Sequence, residues 1–137
     1  MDGKGRIKIP NGFLQFILAK FGPNVFVTSI SGENVLVYPM ETWMEIERKL
    51  SGVPSSLTAK QRLLDRHHFY GQESAIDKQG RLLIHPHLRE GAEVMGAVDV
   101  LGKYDFIEIW NHDRLLEKFK SEPYTSQQSD QLVPYGI

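Results

Sequence analysis

Apolar positions in this chain gather into short runs that recur in the same order in its two halves. Runs at 25–30 and 35–38, joined by Ser31 to Asn34, read as a strand pair, and so do 97–101 and 106–110. Gly32 and Gly102 are placed to supply the intervening turns. A helical spacing takes over elsewhere. Phe13, Phe16 and Ile17 stand at i, i+3 and i+4 of a stretch from Gly12 to Phe21, with Asn11 as its expected cap and Gly22 as its stop. Pro39 suits the first turn of a helix reaching Leu50, with Trp43, Ile46 and Leu50 on one face. Thr58 and Gln61 form a candidate capping box for a helix to about Phe69. Pro86 leads a shorter helix over His87 to Glu93. Asn111 is placed to cap Asp113 to Lys120, buried through Leu115, Leu116 and Phe119.

Two further short strands, Arg6 to Ile9 and Arg81 to Ile84, expose the internal repeat. The first follows "DGKGR" (2–6) and the second "DKQGR" (77–81), and Pro10 and Pro86 come soon after. Asp-x-x-Gly-Arg, an aliphatic residue, any residue and Ile thus appear twice, 75 residues apart. Later, "NVLVYPMETW" (34–43) echoes "FIEIWNHDRL" (106–115) at an offset of 72, so the loop inside the first copy is longer by three. Two copies of one unit is the economical reading. In each copy the glycine, Gly5 or Gly80, sits where a tight turn needs positive φ. The aspartate, Asp2 or Asp77, can close that turn through its carboxylate as an Asx-turn.

The expected architecture is α+β, with two β-rich half-units and flanking helices fused into one module. The first repeat spans 1–55, a linker helix and the second repeat span 56–121, and a polar, proline-bearing tail at 122–137 is expected to be flexible and largely disordered. One asymmetry stands out. "QESAI" (72–76) reads as a strand before Asp77, whereas only Met1 precedes Asp2. If Met1 is the true start, the first half lacks a strand and exposes a sheet edge, and a misassigned or trimmed start is the blander explanation.

Composition narrows the function classes. A 137-residue chain that is 41% hydrophobic and 24% charged has a soluble, globular profile, and no signal peptide or membrane span is written into it. The absence of cysteine removes disulfides, thiolate nucleophiles and Cys-type zinc sites, and a cytoplasmic location is the default. Sixteen basic against 17 acidic residues leave a net charge of −1, so any anion site must be local. Lys4, Arg6 and Lys8 form one basic group beside Asp2, and Arg62, Arg66, His67 and His68 form another. Catalytic signatures such as G-x-S-x-G, the P-loop and G-x-G-x-x-G do not occur, and no enzymatic role, small-molecule substrate or cofactor is implied. His85 and His87 would share a face of an extended segment, but Pro86 ends the strand between them. No clustered carboxylate completes a metal shell, so the five histidines read as surface residues. Tyr38, Trp43, Trp110 and Phe119 read as core packing.

The twice-written turn, "DKQGRLLIHPHLREGA" with "DFIEIWN", and "VYPMETW" in the first half together resemble the MraZ family of bacterial transcription regulators, over residues 2–120. One departure is His85, where that family tends to have a second proline. The resemblance implies two tandem AbrB-like swapped-hairpin half-barrels related by a pseudo-twofold, assembled as a ring-shaped homo-oligomer. It implies binding to double-stranded promoter repeats upstream of the division and cell-wall genes, usually as a repressor, and hence a place on the nucleoid. An AbrB-type, antitoxin-like interaction module without specific DNA binding is the alternative.

Candidate DNA-binding residues follow from the same motif. Arg6 and Arg81 can bridge guanine O6 and N7 or clamp phosphate, or each can pair with Asp2 or Asp77. Both roles are compatible, since a carboxylate can orient the guanidinium. The resemblance favours DNA contact. Lys4 and Lys78 lie in or beside the turns and would add phosphate charge, with Gln79 the counterpart of Lys4. Lys8 points to the same strand face as Arg6.

Overall fold

The two motif strands pair with each other. In the computed structural model of the chain, which describes residues 3–137, β1 (Arg6–Lys8) runs antiparallel to β5 (Arg81–Leu83). The remaining strands among the described residues form one antiparallel sheet. These are β2 (Asn24–Thr28), β3 (Val35–Pro39), β4 (Gln72–Ala75), β6 (Val98–Gly102) and β7 (Ile107–Asn111), in the order β4-β2-β3-β7-β6. Helices α1 (Asn11–Lys20), α2 (Met40–Ser51), α3 (Thr58–Tyr70), α4 (Pro86–Gly91), α5 (His112–Ser121) and α6 (Ser126–Leu132) complete an α+β fold.

The halves exchange strands. β4, which precedes the second motif, pairs with β2 of the first half, while β1 pairs with β5 and β3 with β7. Register shows why this is the repeat seen in sequence. Ile7 faces Leu82, 75 residues on, and Leu36 faces Glu108, 72 residues on. Residues equivalent by the repeat are thus each other's partners, so a pseudo-twofold axis passes through both pairs, in the manner of an isologous contact. The far edge of the sheet is β6, the counterpart of β2. Among the described residues β6 pairs with β7 alone, so its outer side carries no strand.

Alternation on β2 and β3 buries both faces of the sheet, which is why these strands read as continuous apolar runs rather than as in-out patterns. Val25, Val27, Val35 and Val37 point toward the β1–β5 ribbon and meet Ile7, Ile9, Leu82 and Ile84. Phe26, Leu36 and Tyr38 point the other way and pack with Trp43 of α2, whose ring stacks on Phe26 at 4.1 Å.

Several local expectations change. Pro10 occupies the cap position of α1, so Asn11 is already helical, and the helix buries Leu14 and Ile17 while Phe16 is exposed. At α3 Leu57 stands at the cap position and Thr58 is already helical, so the Gln61 N–H goes to the Leu57 carbonyl and the Gln61 side chain donates to the Ser55 carbonyl rather than completing a capping box. Leu115 alone is buried on α5, and Leu116 and Phe119 are exposed. The second hairpin turns on Tyr104, at φ 68, rather than on Gly102, whose lack of a side chain admits the Phe13 ring instead. The tail, expected to be irregular, forms α6 and a 3-10 turn (Val133–Tyr135). The reason is a reciprocal capping box: Thr125 Oγ1 accepts from the Gln128 N–H, and Gln128 Oε1 accepts from the Thr125 N–H.

Candidate nucleic-acid interface

The second motif turn is built by its aspartate and its glycine, and the first shows the same glycine conformation. In the second copy Asp77 Oδ1 accepts from the backbone N–H of Gln79 at 2.8 Å and of Arg81 at 2.9 Å, and Gly80 takes φ +74. These bonds, the Arg81 N–H first, together with the Arg81 charge hold the Asp77 carboxyl below the usual carboxylate range. Asp77 Oδ2 receives Arg81 Nε at 3.2 Å, so the ion pair foreseen as one role for this arginine is present and fixes the direction of its guanidinium. In the first copy Gly5 takes φ +79, while Asp2 lies outside the described residues. The turns clasp each other's strands reciprocally: Ile9 N–H donates to the Gly80 carbonyl at 2.9 Å and Ile84 N–H to the Gly5 carbonyl at 3.0 Å.

Strand alternation then sorts the side chains of the ribbon. Ile7 and Leu82 face inward and are buried, so Arg6, Lys8, Arg81 and Leu83 face outward. Lys8 is directly opposite Arg81. Like charges opposite one another destabilise a strand pair, and the Asp77 carboxylate on Arg81 offsets part of that repulsion. Lys8 Nζ also reaches the Gln79 carbonyl, which carries its charge onto the second turn. Lys4 and Lys78 are exposed in or beside the two turns. Arg89, whose guanidinium lies against Gly5, stands outside the candidate set that the motif defines. The signal that could have found it was present: the repeat aligns Arg89 with Leu14, an apolar position.

From one turn to the other the ribbon covers four residue steps, roughly 14 Å, comparable to the ~12 Å width of the B-DNA major groove. Its chemistry suits anion contact along one face with a turn at each end.

Elsewhere, His67 corrects the reading of the histidines as surface residues. It is 2% exposed, packed edge-on to Trp43 at 4.8 Å between ring centroids, with neither ring nitrogen hydrogen-bonded among the described residues. His87 packs on Phe69. Among the described residues no group of three or more His, Asp or Glu is placed to hold a metal ion, and no helix is long and apolar enough to cross a membrane. A groove of about 760 Å³ between α1 and the β6–β7 hairpin is lined by Phe13, Phe16, Phe21 and Phe106 among others.

Comparison with known proteins adds the lineage. A family model described as "MraZ protein, putative antitoxin-like" matches residues 1–67 and 71–133. The chain is 36% identical over 137 residues to the transcriptional regulator MraZ of Acidobacterium capsulatum, covering all of this chain and 94% of that one. It is 38% identical over 138 residues to the protein of the same name from Koribacter versatilis, with the same coverage. Against the one from Halothermothrix orenii it is 38% identical over 116 residues, 83% of this chain and 77% of the relative.

Proposed function

The chain belongs to the MraZ family of transcriptional regulators, and from that premise we propose that it binds double-stranded DNA sequence-specifically through the outer face of the β1–β5 ribbon. The observation that carries this reading is the ribbon itself. Three of its four outward residues are Arg6, Lys8 and Arg81, two of them directly opposite each other, and a motif turn closes each end. Arg6 and Arg81 read base edges or grip phosphate, and Lys4, Lys8 and Lys78 add backbone contacts.

One protomer offers few cations, so alone it binds weakly and loses affinity steeply with salt. A ring-shaped homo-oligomer changes this, since neighbouring protomers on repeated boxes gain effective concentration and about a hundredfold or more in avidity. The apolar groove beside Phe16 is a surface suited to contact between copies. Occupancy of promoter repeats ahead of the division and cell-wall genes would repress them, with the protein on the nucleoid and no catalytic role.

The test is fluorescence anisotropy of the native assembly on DNA carrying several promoter repeats, on one repeat and on scrambled DNA, over a salt series. Wild type prefers the multi-repeat DNA, and Arg6→Ala/Arg81→Ala lowers affinity by about tenfold or more, at the scale of lost bidentate contacts. Sequence-indifferent binding that ignores both arginines, in a variant that still assembles, would favour the interaction module that the family description "antitoxin-like" suggests.

A further inference from the structure

The two turns are equivalent in backbone but not in what covers them. Gly5 and Gly80 are both buried. A Cβ on Gly80 would come to 2.6 Å from Leu14 Cδ2 and 2.9 Å from Lys8 Nζ, whereas a Cβ on Gly5 would run into the guanidinium of Arg89. Leu14 on α1 and Arg89 on α4 occupy equivalent places after equivalent strands, at the motif offset of 75. One site of the pseudo-twofold therefore holds methyl groups and the other a cation. Lys8 breaks the symmetry in the opposite sense, because its counterpart is Leu83, an exposed apolar residue.

Together these two departures place one cation from each half on the other half's turn. Lys8 reaches the second turn from β1, and Arg89 reaches the first from α4. Leucine would fill the space over Gly5, as Leu14 does over Gly80, without desolvating a charge. A guanidinium half-removed from water there carries a penalty unless an anion meets it, and no carboxylate among the described residues forms an ion pair with Arg89. An anion from outside the chain would meet that charge.

We propose that Arg89 contacts a DNA backbone phosphate beside the first turn, matching from the second half what Lys8 does for the second turn from the first. This rests on the DNA-binding reading above. A phosphate is favoured over a base because Arg89 belongs to α4 and lies against Gly5 of the turn rather than among the outward residues of the ribbon strands. Its planar fork suits phosphate oxygens.

The experiment uses the full-length assembly with Arg89→Leu, the residue the fold already holds at the equivalent position, and Arg89→Lys. Anisotropy is recorded on promoter-repeat and scrambled DNA across a salt series, beside unfolding midpoint and oligomeric mass. The expected result is a several-fold loss for Arg89→Leu, similar on both DNAs, with a log–log salt slope shallower by about one, wild-type midpoint and mass, and partial recovery in Arg89→Lys. Wild-type affinity and slope in Arg89→Leu would overturn the proposal. So would a loss confined to the promoter repeats, or a loss that tracks a lowered midpoint and is not recovered by lysine. If Arg6→Ala/Arg81→Ala also leaves binding untouched, the DNA-binding reading itself has failed. If that pair abolishes binding and Arg89→Leu does not change it, only the assignment of Arg89 has failed.

Discussion

His67 shows how far a single side chain can depart from its type. Burial, and then the nearby His68, lower its pKa from 6.5 to about 4. The folded chain therefore resists the proton that the unfolded chain accepts. Above about pH 6.5 the ring is neutral in both states and stability is full. As pH falls from 6.5 toward 4 the unfolded state gains protons first, and stability drops by up to about 3 kcal/mol before levelling off. His67→Phe keeps an aromatic ring between Trp43 and Tyr38 without a titrating nitrogen. Urea midpoints measured between pH 7 and pH 4.5 should fall less in that variant than in wild type, and parallel curves would show that other groups set the acid limit. This burial was not legible in sequence, because the rings that enclose His67 arrive from β3 and α2, more than twenty residues away. The motif turns were legible for the converse reason: Asp77, Gly80 and Arg81 make each other's contacts within five residues.

Element boundaries follow the same division between local and distant causes. Asn111 was recognisable as the cap of α5, and its Oδ1 accepts from the Arg114 N–H at 3.0 Å. Its Nδ2 also donates to the Glu93 carbonyl at 2.9 Å, tying α5 to the loop after α4, a contact that no local pattern announces. Asn111→Ala should therefore lose about 1–2 kcal/mol by urea unfolding, the upper range for a cap. Thr125→Ala provides the internal comparison. It removes the capping box of α6, a helix with no buried residue, so it should reduce far-UV helicity slightly and leave the midpoint unchanged. An equal fall in both variants would mean that α6 is packed against something. Apolar helix faces were less readable than caps. On α1 the burial of Leu14 depends on its contact with Gly80, 66 positions away, and periodicity alone pointed to Phe16 instead.

At the scale of the whole chain, the offsets of 75 and 72 gave away the number of units and their internal order, while the way those units interlock belongs to the register. β1 has its partner in β5, β2 takes β4 on its outer side, and β3 is joined to β7, so three of the pairings that build the fold cross from one repeat to the other. Ile7, Ile9, Leu82 and Ile84 are each 2% exposed or less within one shared cluster. Separated, each half would leave strand edges unpaired and uncover these residues, and the loss of such burial amounts to several kcal/mol. The intact chain should therefore unfold in urea as one transition, with fluorescence from Trp43 in the first repeat and Trp110 in the second reporting the same midpoint in single-tryptophan variants. Residues 1–55 expressed alone should be unfolded, or should self-associate, since the repeat makes a second copy of that segment an approximate substitute for its missing partner. Sedimentation with circular dichroism distinguishes these from the contrary result. A folded, monomeric 1–55 fragment, or separate midpoints for the two tryptophans, would mean that the exchanged strands join two bodies already stable by themselves.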